Sequence, residues 1–272
     1  MRGTTRVSIA MAMLIGAASS AAAQTIKVDG STGAMPLVAA LAKAHEAQTQ
    51  GVKIETGKGL GTKARIDALK AGSIDIAVAS HGLKVDELLA QGMVVDRIAA
   101  TAVAFAVDAA IPVTNLTQAQ ICSIYSGKAT NWKELGGPDR AIAARTRPDS
   151  EVDTEVVRAH IGCLATLKMP AEIKVMDKSG DMARELATQP GSLGMTTTTV
   201  ILQSGGKLKA VALDGAAPTE ANVVDGKYRL VREVFLVTRS AASQATKAFV
   251  AFVKSPQGAA VIKDNGAIPG TR

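Results

Sequence analysis

The chain has 272 residues, of which 47% are hydrophobic and 20% charged, so it can build a folded core and is not wholly disordered. The formal net charge is +7, but the lysines and arginines are scattered and form no stripe that would indicate a nucleic-acid partner. With 3% aromatic residues and two cysteines, the sequence also excludes a base-stacking surface, a disulfide-rich scaffold and a four-cysteine zinc site.

Residues 1–23 have the parts of a secretory signal peptide. Arg2 and Arg6 open the segment, an apolar stretch follows, and three alanines precede the predicted cleavage before Gln24. The alternative, a membrane anchor, is disfavoured because the apolar stretch is short and rich in Ala and Ser. We therefore expect export to the periplasm, with loss of the two arginines lowering the formal charge from +7 to +5.

The next 55 residues or so alternate between strand and helix patterns. Buried or alternating apolar runs predict strands at 26–30, 52–55 and 74–79. Helical spacing of apolar residues predicts helices at 35–48 and 62–71. This β-α-β-α-β order is typical of a parallel sheet flanked by helices, and the predicted fold class is α/β.

The alternation continues towards the end of the chain. Strands are predicted at 99–107, 141–144, 173–175 and 227–238, and helices at 116–125, 153–164, 245–254 and 256–265. No linker rich in Pro, Gly or Ser separates two halves. A first lobe that the chain leaves and later re-enters fits this lack of a linker.

Cys122 and Cys163 are predicted to form a disulfide, because an exported chain folds in an oxidising compartment. The alternatives are two buried thiols or a soft-metal site, for which His160 is the only nearby additional ligand in the sequence. We predict no metal and no cofactor. His45 and His160 each lie beside charged residues on a predicted helix and are expected at the surface.

Four turns that lead from a strand into a helix carry the candidate anion-binding residues. Helix N-termini present free backbone N–H groups, and in open α/β folds such turns meet at the carboxyl edge of the sheet. The candidate contacts in these turns are Thr32, Lys58, Ser80, His81, Arg147 and Thr154. For Ser31 and Thr32 the alternative is an ordinary helix cap, and the Gly57–Lys63 turn does not match a nucleotide-binding phosphate loop.

Three further motifs carry a family resemblance. They are ICSIYSGKATNW at 121–132, QPGSLG at 189–194, and FLVT at 235–238 leading to AFVAFVKSPQGAAVI at 248–262. With the turns, in the same order and at similar spacing, they make the chain resemble the periplasmic phosphate-binding proteins of ABC transporters over nearly its whole mature length.

The resemblance implies a two-lobed periplasmic binding protein fold of the type II kind. Each lobe would be a mainly parallel sheet flanked by helices, and the chain would cross between lobes twice, near Ala106 and near Phe235. The implied first lobe is 24–106 plus 235–272, and the implied second lobe is 107–234.

The family's ligand residues carry over in part. Thr32 matches the first-turn threonine of the family and Arg147 its anion clamp. Lys58 stands where a serine hydroxyl is usual, and His81 where the family often has Asp or Arg.

The turn after Arg147 also departs from the family pattern. Glu151 and Val152 replace a Ser-Gly pair, and Thr154 matches only after a shift of one residue. Glu151 and Asp153 would repel a dianion if both faced it. Either these carboxylates turn away from the ligand, or the ligand is not plain phosphate.

The leading functional hypothesis is a monomeric exported protein that captures a small oxyanion between its lobes and delivers it to a membrane ABC permease. Phosphate is the ligand that the resemblance implies, while another oxyanion or a small organic acid stays open. A sensory or accessory module that presents the closed form to a membrane receptor is the second hypothesis. The third, a secreted hydrolase using the adjacent Ser80 and His81, is disfavoured because G-x-S-x-G and H-E-x-x-H motifs are lacking.

Overall fold

The computed structural model describes residues 24–80 and 83–270; the predicted signal peptide at 1–23 and His81 lie outside these ranges. The strands are β1 (Gln24–Gly30), β2 (Val52–Thr56), β3 (Ile76–Ala79), β4 (Met93–Asp108), β5 (Asn115–Leu116), β6 (Ala143–Thr146), β7 (Lys174–Val175), β8 (Ser192–Thr197), β9 (Leu208–Ala210), β10 (Ala212–Leu213), β11 (Val231–Arg239) and β12 (Ile268–Pro269). The α-helices are α1 (Met35–Gln48), α2 (Thr62–Lys70), α3 (Val85–Ala90), α4 (Gln118–Tyr125), α5 (Val152–His160), α6 (Ser179–Thr188), α7 (Thr198–Gln203), α8 (Glu220–Val224), α9 (Gln244–Val253) and α10 (Pro256–Asp264). Across these described residues, no helix combines the length and the apolar character needed to cross a membrane.

One continuous sheet runs through the molecule in the order β2-β1-β3-β11-β4-β8-β6-β7, and β9 and β12 pair with β4 beside this path. Strands β1, β2 and β3 are mutually parallel at one end, and β6, β7 and β8 are parallel at the other. The antiparallel strands β11 and β4 lie between these two parallel groups. The parallel groups need helical crossovers, which explains why helices alternate with strands along the chain.

Two lobes follow from this topology. Strand β4 pairs with β11 over Met93–Ala102 and with β8 over Val103–Val107, and the chain returns where Val231 begins β11. The first lobe contains β1–β3, β11, β12, the first part of β4, and helices α1–α3, α9 and α10; the second lobe contains the remaining described elements. The predicted two-lobed α/β fold is confirmed. The lobe limits placed at Ala106 and Phe235 stay a prediction; the change of pairing partner lies a few residues before each.

The core of the second lobe includes large aromatic side chains whose polar tips are satisfied, among them Tyr125 and Trp132. Tyr125 and Trp132 are both fully buried. The Tyr125 hydroxyl donates to the Arg145 carbonyl at 2.8 Å, and the Trp132 indole N–H donates to the Gly191 carbonyl at 2.9 Å. Burial of these rings therefore leaves no orphaned donor at either tip.

The predicted disulfide is present in the second lobe. Cys122 on α4 is joined to Cys163, which lies in a 3₁₀ turn, Gly162–Leu164, just after α5. The two Cα atoms are 6.1 Å apart, within the range that a disulfide spans. The bond therefore ties α4 to the turn that follows α5.

The prediction that His45 lies at the surface is wrong. Its side chain is buried, and its ring centroid lies 5.4 Å from that of Phe249 and 5.1 Å from that of Phe252. His45 continues the buried face of α1 that includes Val38 and Leu41, at helical spacing. That spacing was a usable signal, whereas the charged neighbours pointed the wrong way. His160 is exposed as predicted.

Candidate functional site

The first turn of the site follows β1 and enters α1. Ser31 is buried, and its backbone N–H donates to the Val78 carbonyl of β3, so the turn is fixed at the carboxyl edge of the sheet. Thr32 is half-buried beside it. Gly33 has no room for a side chain, because a Cβ there would lie 2.4 Å from a guanidinium nitrogen of Arg232.

The second turn, Gly57–Gly61, packs against the first. Asp29 accepts hydrogen bonds from the backbone N–H groups of Gly30 at 2.7 Å and Gly59 at 2.8 Å, which ties the two turns together. Gly59 has φ +99°, and a Cβ there would lie 2.3 Å from the Thr32 methyl carbon. Two independent reasons, conformation and space, therefore require glycine at this position.

Lys58 does not bring its ammonium group into a described cleft contact. The side chain is exposed, and it is the Lys58 carbonyl that meets the second lobe by accepting a hydrogen bond from the Lys178 ammonium at 3.2 Å. With its backbone held between Gly57 and Gly59, the turn presents a carbonyl to the second lobe. Anion contact by the Lys58 side chain stays a prediction.

Arg147 is the main contribution of the second lobe. It directly follows β6, it is 2% exposed, and it donates to the Met176 carbonyl at 2.7 Å. Its Nη2 lies 2.8 Å from a Glu151 carboxylate oxygen and 3.4 Å from the Thr32 hydroxyl. The two residues carried over from the family pattern thus meet across the two lobes. The Arg147 Nε–H is buried without a hydrogen-bond partner among the described residues.

Two hydroxyl side chains support this junction from the second lobe. Thr154 is fully buried and donates to the Arg147 carbonyl at 3.1 Å, so it holds the turn in place. Ser179 begins α6, and both its backbone nitrogen and its hydroxyl lie 3.4 Å from the Thr32 hydroxyl. An anion contact by Thr154 stays a prediction, and Ser179 is an addition that the sequence analysis did not name.

A second buried arginine, Arg232, was not predicted. It lies at the start of β11, and its Nη2 donates to the hydroxyls of Ser31 at 2.6 Å and Ser80 at 2.5 Å. Its Nη1 pairs with Asp153 at 2.5 Å. Ser80, a predicted site residue, is therefore in the same cluster as Ser31. The signal that could have revealed Arg232 is its positive charge within the predicted strand at 227–238, which is rich in apolar residues.

A third guanidinium strengthens the positive field. Arg65 on α2 is buried and donates to the Val78 carbonyl at 3.0 Å. Burial, and then the positive charge of Arg232, lower the pKa of Arg65 to about 10, while Glu151 and Asp29 oppose this shift. Arg65 thus stays cationic at neutral pH and electrostatically coupled to the cleft residues.

The two carboxylates that the sequence analysis flagged each pair with an arginine. Glu151 pairs with Arg147 and Asp153 with Arg232. The cluster therefore contains three buried guanidinium groups, and those of Arg147 and Arg232 each pair with one of the two carboxylates. The buried atoms Arg232 Nε and Asp153 Oδ2 have no hydrogen-bond partner among the described residues. Within the same described ranges, no group of three His, Cys, Asp or Glu side chains is placed to hold a metal ion.

The arrangement suits reversible binding of a small anion. The Thr32 hydroxyl comes from the first lobe and the Arg147 guanidinium from the second, so a guest between them would contact both lobes at once. Two α/β lobes joined by two strands, with polar groups facing each other between them, define a two-lobed binding protein. The chain belongs to the PBP superfamily, whose domain model matches residues 16–257.

Named relatives agree with this class. The phosphate-binding protein PstS of Bacillus subtilis strain 168 is 28% identical over 254 residues, covering 92% of this chain and 82% of the relative. A putative phosphate ABC transporter substrate-binding protein from Clostridium perfringens, solved with bound phosphate, superposes with a TM-score of 0.76 at 27% identity, covering 91% of this chain and all of the other. An ABC-type phosphate transport receptor from Vibrio cholerae gives a TM-score of 0.62 at 29% identity, covering 89% and 99%.

Proposed function

We propose that this protein is an exported phosphate-binding protein that closes its two lobes on inorganic phosphate and delivers it to an ABC permease. The observation that carries the proposal is the meeting of Thr32 and Arg147, with 3.4 Å between the hydroxyl and the guanidinium. The unpartnered Arg147 Nε–H adds a buried donor that an anion could satisfy. The named relatives, which are phosphate-binding and phosphate-transport proteins, support phosphate as the anion.

The charges of the cleft favour an anion that still carries a proton. Glu151 and Asp153 lie among the guanidinium groups, and their negative charges disfavour a fully deprotonated dianion. Phosphate keeps at least one proton at neutral pH, whereas sulfate keeps none. We therefore expect phosphate to bind more tightly than sulfate.

Binding is proposed to occur without turnover. Thr32 and Arg147 are the proposed direct contacts, and the neighbouring turns orient them. Lys58, Ser80, His81 and Thr154 remain candidate contacts. Delivery requires only that the lobes open again at the permease, so no bond to the ligand is made or broken.

Calorimetry on the unfolded, ligand-stripped and refolded protein tests the proposal. Phosphate and arsenate should give a saturable heat, and sulfate should bind at least about tenfold more weakly. No heat with phosphate, together with a clear signal for sulfate or a carboxylate, would overturn phosphate as the ligand. Amino-terminal sequencing of the exported protein should begin at Gln24.

A further inference from the structure

The Arg232 guanidinium joins three parts of the molecule that are distant in sequence. Its hydrogen bonds to Ser31 and Ser80 reach the carboxyl ends of β1 and β3, both in the first lobe. Its ion pair with Asp153 reaches the first turn of α5, in the second lobe. One side chain at the start of a strand that links the lobes therefore contacts both sides of the cleft.

The Arg232–Asp153 pair is buried on both sides. The Arg232 side chain is 2% exposed and the Asp153 side chain 1% exposed. Opposite charges attract strongly in such surroundings, and either one left alone there is strongly disfavoured. If the lobes separated, both groups would regain water, so the pair belongs to the arrangement in which the lobes are together.

The Arg147–Glu151 ion pair lacks this property. Arg147 and Glu151 are four residues apart, both belong to the second lobe, and the Glu151 side chain is 35% exposed. Separation of the lobes leaves that pair intact. The hydrogen bond from Lys178 to the Lys58 carbonyl does join the lobes, but it is exposed to solvent and contributes less.

We propose that Arg232 and Asp153 are positioning residues for ligand capture: their buried ion pair holds the two lobes together and fixes the Ser31 and Ser80 turns for the anion. This proposal rests on the proposed function for its ligand. Arg232 would act by orienting Ser31 and Ser80 and by holding the lobes together, and it need not contact the ligand itself. Gly33 is needed for this arrangement, because a side chain there would displace the Arg232 guanidinium.

Asp153→Asn is the first test, with Asp149→Asn as the matched control. Asp149 also pairs with an arginine, Arg158, at 2.9 Å, but that pair lies within the second lobe and Asp149 is 79% exposed. Calorimetry with inorganic phosphate should show at least about tenfold weaker binding for Asp153→Asn and less than about twofold change for Asp149→Asn.

Small-angle X-ray scattering provides a readout that needs no ligand. Ligand-free Asp153→Asn should have a larger radius of gyration than the wild-type protein, because opening returns the unpaired Arg232 guanidinium to water. A lowered midpoint with unchanged radius and unchanged phosphate affinity would mean that the pair is merely structural, and would overturn the proposal.

A double variant removes the concern that an unpaired buried arginine prevents folding. Arg232→Gln combined with Asp153→Asn leaves two neutral, similarly sized side chains, and replacement of a buried pair as a whole is often tolerated. It should fold, yet remain more open than the wild type and bind phosphate weakly. Wild-type closure and affinity in this variant would refute the proposal.

If the wild-type protein itself shows no phosphate heat, the proposed function fails, and scattering still decides whether the pair controls closure.

Discussion

The two lobes share an architecture but are stabilised differently. The second lobe contains the Cys122–Cys163 disulfide and the buried Trp132, whose N–H has a partner. The first lobe contains neither cysteine, and it buries His45, whose two ring nitrogens have no hydrogen-bond partner among the described residues. We therefore expect the stability of the second lobe to depend on a covalent bond and the stability of the first lobe to fall in acid.

The lobes also differ in what they bring to the cleft. The first lobe supplies neutral hydroxyls from its turns, at Ser31, Thr32 and Ser80. The second lobe supplies the charged Arg147, held by its own carbonyl and carboxylate partners. Removing the Arg147 charge and removing the Thr32 hydroxyl should therefore give unequal losses of affinity.

The largest effect is expected from removing the disulfide. Replacing Cys122 and Cys163 with serine should lower the free energy of unfolding by about 2–4 kcal/mol, because the bond closes a long loop of the unfolded chain. Urea denaturation with and without the substitutions measures the loss. Hydrogen exchange should show faster opening around α4 and unchanged exchange in α1.

Equal acceleration of exchange in both lobes would contradict the comparison, since it would mean that they unfold as one unit. The wild-type protein treated with a reductant under native conditions is the control. It should reproduce the loss seen in the double serine variant.

The next effect separates the two sides of the cleft. Arg147→Ala should weaken phosphate binding at least about a hundredfold, or about 2.7 kcal/mol, because it removes a buried charged donor. Thr32→Val, which keeps the shape and removes the hydroxyl, should cost about tenfold. Calorimetry on both variants measures the ratio.

Arg147→Lys is the control for charge without the planar fork, and it should fall between the two. If Arg147→Ala stays within about threefold of the wild type, the assignment of the charged clamp to the second lobe is wrong.

The sequence predicted the regular parts of both lobes well. Strands β1 to β3 and helices α1 and α2 follow strict apolar spacing, and their predicted limits agree closely with the structure. No element was predicted between Val175 and Lys227, although α6, β8, α7, β9, β10 and α8 lie there. The run of four threonines at 196–199 conceals a strand-to-helix junction, because three of these hydroxyl side chains are buried rather than solvated.

The site residues that lie in turns could be predicted from the sequence, whereas the one that lies in a strand, Arg232, could not. Thr32 and Arg147 belong to recognisable turn patterns, and they do meet. Arg232 is 201 residues from Ser31, and only the antiparallel insertion of β11 between β3 and β4 brings its first residues to the cleft edge. Periodicity reports which face of a strand is buried; it does not report which neighbour a buried charge will find.

The smallest effect concerns acid and the first lobe. Burial lowers the pKa of His45 below its ordinary value of 6.5, and the neighbouring Glu46 only partly opposes this. The unfolded chain therefore binds a proton at a pH where folded His45 does not, so stability is complete above about pH 6.5 and falls as the pH drops below it. One such group contributes a slope of at most about 1.4 kcal/mol per pH unit.

Urea denaturation at about pH 7.5 and about pH 5.5 should show this loss in the wild type and in His160→Gln, whose imidazole is exposed. His45→Phe should lose less stability on acidification, because a phenyl ring can pack against Phe249 and Phe252 without a proton to gain. An identical pH dependence of the free energy of unfolding in His45→Phe and the wild type would show that His45 does not make the first lobe sensitive to acid.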